Sequence, residues 1–275
     1  MYCNLGNVSV YYETYGEGFP IVLIHGFTPD HRLMTGCMEP VFENQPGWLR
    51  IYLDLPGMGQ TKGEDWIQGS DQMLEVVERF IDKVLPEGKY VLAGESYGGY
   101  LIRALAAKQP ERVAGMLFIC PLIEASPAER IVPERSVIAE DKEFLSTLTA
   151  DQMSRFAPLA VVQDRYNFER FKKEILPGLH AADPVFLQKI RERYAFSVPN
   201  EKETRPFDKP VLFLTGRQDH VTGYQNVWSI LEQYPRASFA VLDRAGHNLQ
   251  IEQSGLFTAL VKEWLHRVAE SENLQ

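Results

Sequence analysis

Uninterrupted apolar runs alternate along the chain with segments whose apolar residues recur every three or four positions. Residues 8–15 are β-branched and aromatic and end at Gly16-Glu17-Gly18, which predicts a strand and turn. Pro20-Ile21-Val22-Leu23-Ile24 is apolar throughout, as expected of a strand covered on both faces. Runs of the same kind at 48–53, 90–93, 113–119, 211–214 and 238–242 predict further strands. Between them, Met73, Val76, Val77 and Phe80 share one helical face, which Val84 continues. Leu101, Leu105 and Ala106 mark a second helix, and Trp228, Ile230 and Leu231 a third. Leu256, Leu260, Val261, Trp264 and Leu265 mark the last. This alternation predicts the α/β class: a mostly parallel, doubly wound sheet with helices on both faces.

One stretch breaks the rhythm. Residues 121–205 carry helical patterns but no convincing buried strand. Asp183-Pro184 combines an N-cap with a first-turn proline, and Leu187, Ile190 and Tyr194 follow at helical spacing. Residues 164–176 predict another amphipathic helix, which Pro177-Gly178 is expected to stop. A core built from 1–120 and 206–275, with 121–205 inserted as a helical cap, is therefore expected. There are no internal repeats and no low-complexity tracts.

A length of 275 residues is ample for such a core, and 45% hydrophobic with 24% charged residues is ordinary globular composition. Acidic and basic residues are mixed, and the formal net charge is −9. No basic stripe exists to follow a phosphate backbone, so nucleic acid is not expected as a partner. No apolar run approaches the roughly 20 residues of a membrane span, so no membrane partner is expected either. The N-terminus has neither the basic nor the apolar region of a secretory signal. Cys3, Cys37 and Cys120 are odd in number and far apart, which predicts free thiols in a reducing cytoplasm.

The chemistry centres on Ala93-Gly94-Glu95-Ser96-Tyr97-Gly98-Gly99. The G-x-S-x-G pattern falls on Gly94, Ser96 and Gly98, between a buried strand and the start of a helix. Such a turn strains the nucleophile's backbone and lifts its Oγ above the strand end, and side chains two residues to either side would collide. The helix that begins at Tyr97 aims its free N–H groups at developing negative charge.

His25-Gly26-Phe27 follows the second apolar strand, and Asp54-Leu55-Pro56-Gly57-Met58-Gly59-Gln60-Thr61 follows the next. Gly216-Arg217-Gln218-Asp219 and Gly246-His247 come later, in that order. With the serine turn, these motifs resemble the α/β-hydrolase fold superfamily. Within it, they are similar to the capped, cofactor-free serine hydrolases that group esterases with meta-cleavage-product hydrolases. The resemblance covers the whole chain except the cap.

A free hydroxyl is barely nucleophilic at neutral pH and needs a base. Of six histidines, His247 alone follows the last strand in the matching motif. His31, His180 and His266 lack such a motif, His220 adjoins the expected acid, and His25 is expected to make a structural hydrogen bond. The imidazole needs a carboxylate to fix its tautomer. The resemblance implies Asp219, in the loop after strand 211–214, giving the order serine, acid, histidine. Asp243 is expected to stabilise a turn, and Glu124 is a poor match to the superfamily's alternative acid position. The resemblance also implies an oxyanion hole made by the backbone N–H groups of Phe27 and Tyr97. Phe156, Tyr166, Phe168, Phe171, Phe186, Tyr194 and Phe196 could line an apolar acyl pocket, although at helical spacing most are expected in the cap's core. For Arg130 and Arg165, solvated surface is expected ahead of contact with a substrate carboxylate.

The expected activity is acyl transfer to water, from a small, fairly apolar ester, through an acyl-enzyme on Ser96. Carbon–carbon bond hydrolysis of the meta-cleavage type is the alternative. Phe27-Thr28-Pro29-Asp30 and Asn248 depart from that group's glycine-rich and tryptophan positions. A non-catalytic small-molecule sensor on the same fold is a third. Amide, lactone and perhydrolysis chemistry stay open, whereas haloalkane and epoxide hydrolysis would require aspartate at position 96. Neither cofactor nor metal is expected, and the choice between monomer and homo-oligomer is left open.

Overall fold

The computed structural model describes residues 1–198 and 206–274. The end of the predicted cap, 199–205, and residue 275 lie outside them. The strands are β1 Tyr2–Asn4, β2 Ser9–Tyr15, β3 Phe19–Ile24, β4 Trp48–Leu53, β5 Tyr90–Glu95, β6 Val113–Ile119, β7 Ala139–Glu140, β8 Val162–Gln163, β9 Val211–Gly216 and β10 Ala237–Leu242. The helices are α1 His31–Phe42, α2 Ser70–Val84, α3 Tyr97–Lys108, α4 Lys142–Leu145, α5 Ala150–Phe156, α6 Arg165–Glu174, α7 Leu176–Ala181, α8 Pro184–Glu192, α9 Gln225–Trp228, α10 Leu249–Glu252 and α11 Ser254–Ser271.

Eight strands form one sheet in the order β1-β2-β4-β3-β5-β6-β9-β10. β2 pairs antiparallel with β1 and β4, and every later pairing is parallel. Side-chain alternation splits the buried residues of each strand between two cores. On β3, Val22 and Ile24 join the core under α2 and α3, and Ile21 and Leu23 join that under α1 and α11. This is why the central runs read as continuously apolar: β5 and β6 are buried at every position.

Three expectations need correction. The expected helix around Trp228 is interrupted: α9 has 4 residues, a short 3-10 turn follows at Leu231–Gln233, and Trp228 is exposed. Leu256 is also exposed, although Val261, Trp264 and Leu265 of α11 are buried as expected. Pro177-Gly178 does not end the helical region, because Pro177 fits the first turn of α7, where no intrahelical N–H is required. The longest helix to be missed is α1. In α1, Leu33, Met34, Cys37, Met38 and Val41 are buried at helical spacing behind an Asp30 N-cap, but Gly36 and Pro40 lie within it.

The chain between β6 and β9 adds no strand to the main sheet among the described residues. It does contain one strand pair, β7 with β8, too short to show in the pattern. Asp164 caps α6 and Asp183 caps α8, the latter accepting from Val185 N and Phe186 N. Phe144, Phe156, Phe168 and Phe171 join the α1/α11 core, while Phe186, Leu187, Ile190 and Phe196 join the α2/α3 core. The segment thus straddles both faces of the sheet. Among the described residues, no helix is long and apolar enough to cross a membrane.

Trp264 fastens α11 to the sheet: it is fully buried, and its Nε1–H donates to Pro210 O at 3.1 Å. Trp264→Ala should lower the unfolding free energy by about 3–5 kcal/mol in a denaturant titration. Trp264→Phe should cost clearly less.

Candidate active site

Ser96 follows β5 directly, at φ 50° and ψ −111°. A side chain is tolerated there because its neighbours hold the backbone on every side. Its N–H donates to Ile119 O at 2.9 Å, and its carbonyl accepts from Tyr100 N and Leu122 N at 3.2 and 3.0 Å. The flanking glycines are sterically required. A Cβ on Gly94 would lie 2.5 Å from the Gly98 carbonyl, and one on Gly98 would lie 2.2 Å from Ile24 O.

The three distant side chains meet. Ser96 Oγ lies 3.0 Å from His247 Nε2, within hydrogen-bond reach, and His247 Nδ1–H donates to Asp219 Oδ2 at 2.9 Å. Asp219 is fully buried in the loop after β9. Its Oδ1 accepts from Val221 N and Thr222 N, and its Oδ2 also accepts from Thr222 Oγ1 at 2.8 Å. Burial raises its carboxyl, but the bonds and the attraction of His247 leave it below the usual carboxylate range. Burial lowers His247, but Asp219, with help from Glu95, lifts it to about 9.

Sequence reasoning passed over Glu95, which it treated as the variable residue within G-x-S-x-G. The side chain is buried, and its Oε1 lies 3.4 Å from His247 Nε2. Burial, offset by His247, pushes its carboxyl up to about 7. Glu252 was also passed over. Its Oε1 accepts from Val161 N and Val162 N, and its Oε2 from Gly246 N at 2.6 Å, which ties the 121–205 segment to the turn before His247.

Phe27 and Tyr97, the expected oxyanion residues, lie edge to face with ring centroids 5.3 Å apart. The Tyr97 N–H opens α3, where first-turn amides have no intrahelical acceptor. Tyr194 stacks on Tyr97 at 4.9 Å and meets Phe27 edge-on at 5.2 Å. Ser70 Oγ–H donates to Tyr194 O and in turn accepts from Tyr97 O–H. Among the described residues of the segment, Tyr194 is thus the aromatic one that packs against both the Phe27 and Tyr97 rings. Phe156, Phe168 and Phe171 pack on one another, and Tyr166 is exposed.

The rival residues have other tasks. His25 accepts from Leu55 N at Nε2 and donates from Nδ1 to Gly26 O, and burial keeps it neutral. His31 bonds Asp54, which also receives Gln60 N. Asp243 accepts from Gln218 on the surface. Arg130 is half-buried rather than solvated and donates to the carbonyls of Glu124, Ala125 and Val221. Arg165 lies over the Phe144 ring.

Among the described residues, two buried groups bring potential metal-ligand atoms within 4.8 Å of one another: Cys120/Asp219/His247 and Asp30/His31/Asp54. Their carboxylates already accept from protein donors, Asp30 from Arg32 among them. Burial also pushes the Cys120 thiol well above its ordinary value. Protein hydrogen bonding accounts for both groups.

His247 rises from 6.5 to about 9 on folding. A group raised in this way stabilises the fold fully below its unfolded value, and the contribution disappears as pH climbs through the folded one. Relative to His247→Gln, the stability advantage of the wild type should therefore shrink between pH 6.5 and 9, by a few kcal/mol. Chemical denaturation across that range measures it, and a constant difference would contradict the coupling.

Residues 20–254 match the family described as alpha/beta hydrolase fold. A pimeloyl-[acyl-carrier protein] methyl ester esterase of Legionella pneumophila (strain Corby) is 25% identical, covering 94% of this chain and all of that protein. A 2-hydroxymuconate semialdehyde hydrolase of Pseudomonas sp. (strain CF600) is 26% identical over 91% of this chain and 88% of its own length. The crystal structure of an alpha/beta superfamily hydrolase from Oenococcus oeni PSU-1 superposes with a TM-score of 0.84. It is 28% identical and covers 95% of this chain and 96% of that one. The shared hydrolytic names support a hydrolase of this fold, and the chain belongs to the alpha/beta hydrolase fold family.

Proposed function

We propose that the protein is a serine hydrolase that cleaves a small, fairly apolar ester. The observation that carries this reading is the row in which His247 reaches Ser96 Oγ at 3.0 Å and Asp219 at 2.9 Å. Ser96 Oγ would attack the carbonyl carbon while its proton passes to His247 Nε2, with Asp219 holding the imidazolium. The oxyanion would be met by the N–H groups of Phe27 and Tyr97, each such donor typically worth about 3 kcal/mol in the transition state. His247 then returns the proton to the departing alkoxide as the ester C–O bond breaks, leaving an acyl-enzyme. Water, deprotonated by the same imidazole, attacks the acyl carbon and releases the acid and free Ser96.

Residues 121–205 act in this reading as a cap over the carboxyl ends of the strands. Support comes from their packing against both cores and from Tyr194 lying on Tyr97 and Phe27. The aromatic surroundings suit an apolar acyl group, and the chemistry calls for no cofactor or metal. A formal net charge of −9 fits a small-molecule partner better than nucleic acid or a membrane surface. The buried free thiols of Cys3, Cys37 and Cys120 fit a reducing cytoplasm.

Ser96→Ala should reduce hydrolysis of p-nitrophenyl butyrate by about a thousandfold or more. A fluorophosphonate should label the wild type and not the variant. Undiminished turnover would end the proposal, and a ligand that stabilises the fold without being consumed would favour a sensor. The Pseudomonas relative favours a second reading, carbon–carbon bond hydrolysis. Against a coloured dienoate, loss of absorbance faster than ester turnover would select it.

A further inference from the structure

We propose that Glu95 is a positioning residue of this site: its carboxylate faces the nitrogen of His247 that Ser96 uses, and it steadies the imidazole in the doubly protonated form. This inference rests on the reading of Ser96, His247 and Asp219 given above.

The arrangement follows from the turn. Glu95 ends β5 immediately before the nucleophile, so wherever Ser96 is held, its neighbour is held too. The side chain occupies space opened by a glycine. A Cβ on Gly26 would lie 2.0 Å from Glu95 Oε2. The residue is only 2% exposed, so solvent does little to screen its carboxyl. Its Oε1 lies 3.4 Å from His247 Nε2, and Ser96 Oγ lies 3.0 Å from the same nitrogen. Asp219 holds the opposite side of the ring.

The surrounding groups leave this pair of acids as the controlling charges. Cys37 of α1, Cys120 after β6, and Tyr194 are all pushed upward by burial and stay neutral at ordinary pH. Burial holds His220, in the loop after β9, towards its neutral form. Arg130 is the opposing cation, and its positive charge works against protonation of His247.

Two consequences oppose each other. When Ser96 attacks, Nε2 gains a proton, and an anionic Glu95 stabilises the cation that forms. The same anion favours the cation in the resting enzyme, where a protonated imidazole cannot act as base. Glu95 therefore trades activity at neutral pH for a faster step at alkaline pH. Below about 7 the carboxyl takes up a proton and the bias fades.

Glu95→Gln keeps the shape and removes the charge. The acid limb of kcat/KM against pH on p-nitrophenyl butyrate should then move down by about one unit or more, the usual effect of removing a close opposite charge. The alkaline plateau of kcat should fall severalfold. A merely structural role would lower the rate without moving the midpoint, and an unmoved midpoint would overturn the proposal. If the variant does not fold, the wild type can be read directly. With 13C-labelled glutamate, one carboxyl should titrate near 7, below a histidine ring that titrates near 9, and no carboxyl doing so would overturn the proposal equally. Ser96→Ala separates the two levels. Turnover that survives it removes the underlying reading, whereas turnover lost there with an unmoved Glu95→Gln midpoint removes only the role of Glu95.

Discussion

The backbone of Ser96 carries a positive φ that an L-residue holds only when its surroundings leave no alternative. Those surroundings are the most deeply buried parts of the molecule: β5 and β6 beneath, and the first turn of α3 above. Strain of this kind recurs along one edge of the sheet. Thr28 follows β3, Cys120 follows β6 and Arg244 follows β10, and each also has φ above zero. The carboxyl ends of the strands are thus where the chain turns most sharply and where the three polar side chains of the site converge. A rigid sheet below makes strained turns above tolerable, and the turns in turn set which atoms face one another.

How much of this was legible in the sequence depended on how local the cause was. The central strands announced themselves because burial on both faces demands unbroken apolar runs, as at 20–24 and 113–119. Ser96, Asp219 and His247 were legible because each stands in a short motif behind a strand end. The three-residue β1 was not singled out, since so short a pairing leaves no periodic trace. The α1 helix was hidden by Gly36 and Pro40, although its Asp30 cap and the spacing of Leu33, Cys37 and Val41 were there to be weighed. Trp228 misled in the other direction: apolar residues at suitable spacing were taken for a buried face that tertiary packing leaves exposed.

The residues that escaped notice share one trait. Glu95, Thr222 and Ser70 matter through partners 3 to 152 positions away, and no spacing rule links them to those partners. A buried carboxylate beside a nucleophile is invisible to hydropathy, because the pattern around it already satisfies a motif. Only the proximity of two acids to one imidazole gives it meaning, and that proximity arises from a crossing of strands and loops. Electrostatic surroundings are in this sense a property of topology more than of sequence neighbourhood.

Glu252 binds amides from both sides of a seam, with Val161 and Val162 on one side and Gly246 on the other. Pulling that part of the segment away would cost the half-buried Glu252 two of its three backbone donors, at about 1–3 kcal/mol for each group left unsatisfied. Gly246 N would keep its bond to Glu252, so the peptide just before His247 would stay tethered. One carboxylate thus couples the segment around Val161 to the loop that carries His247.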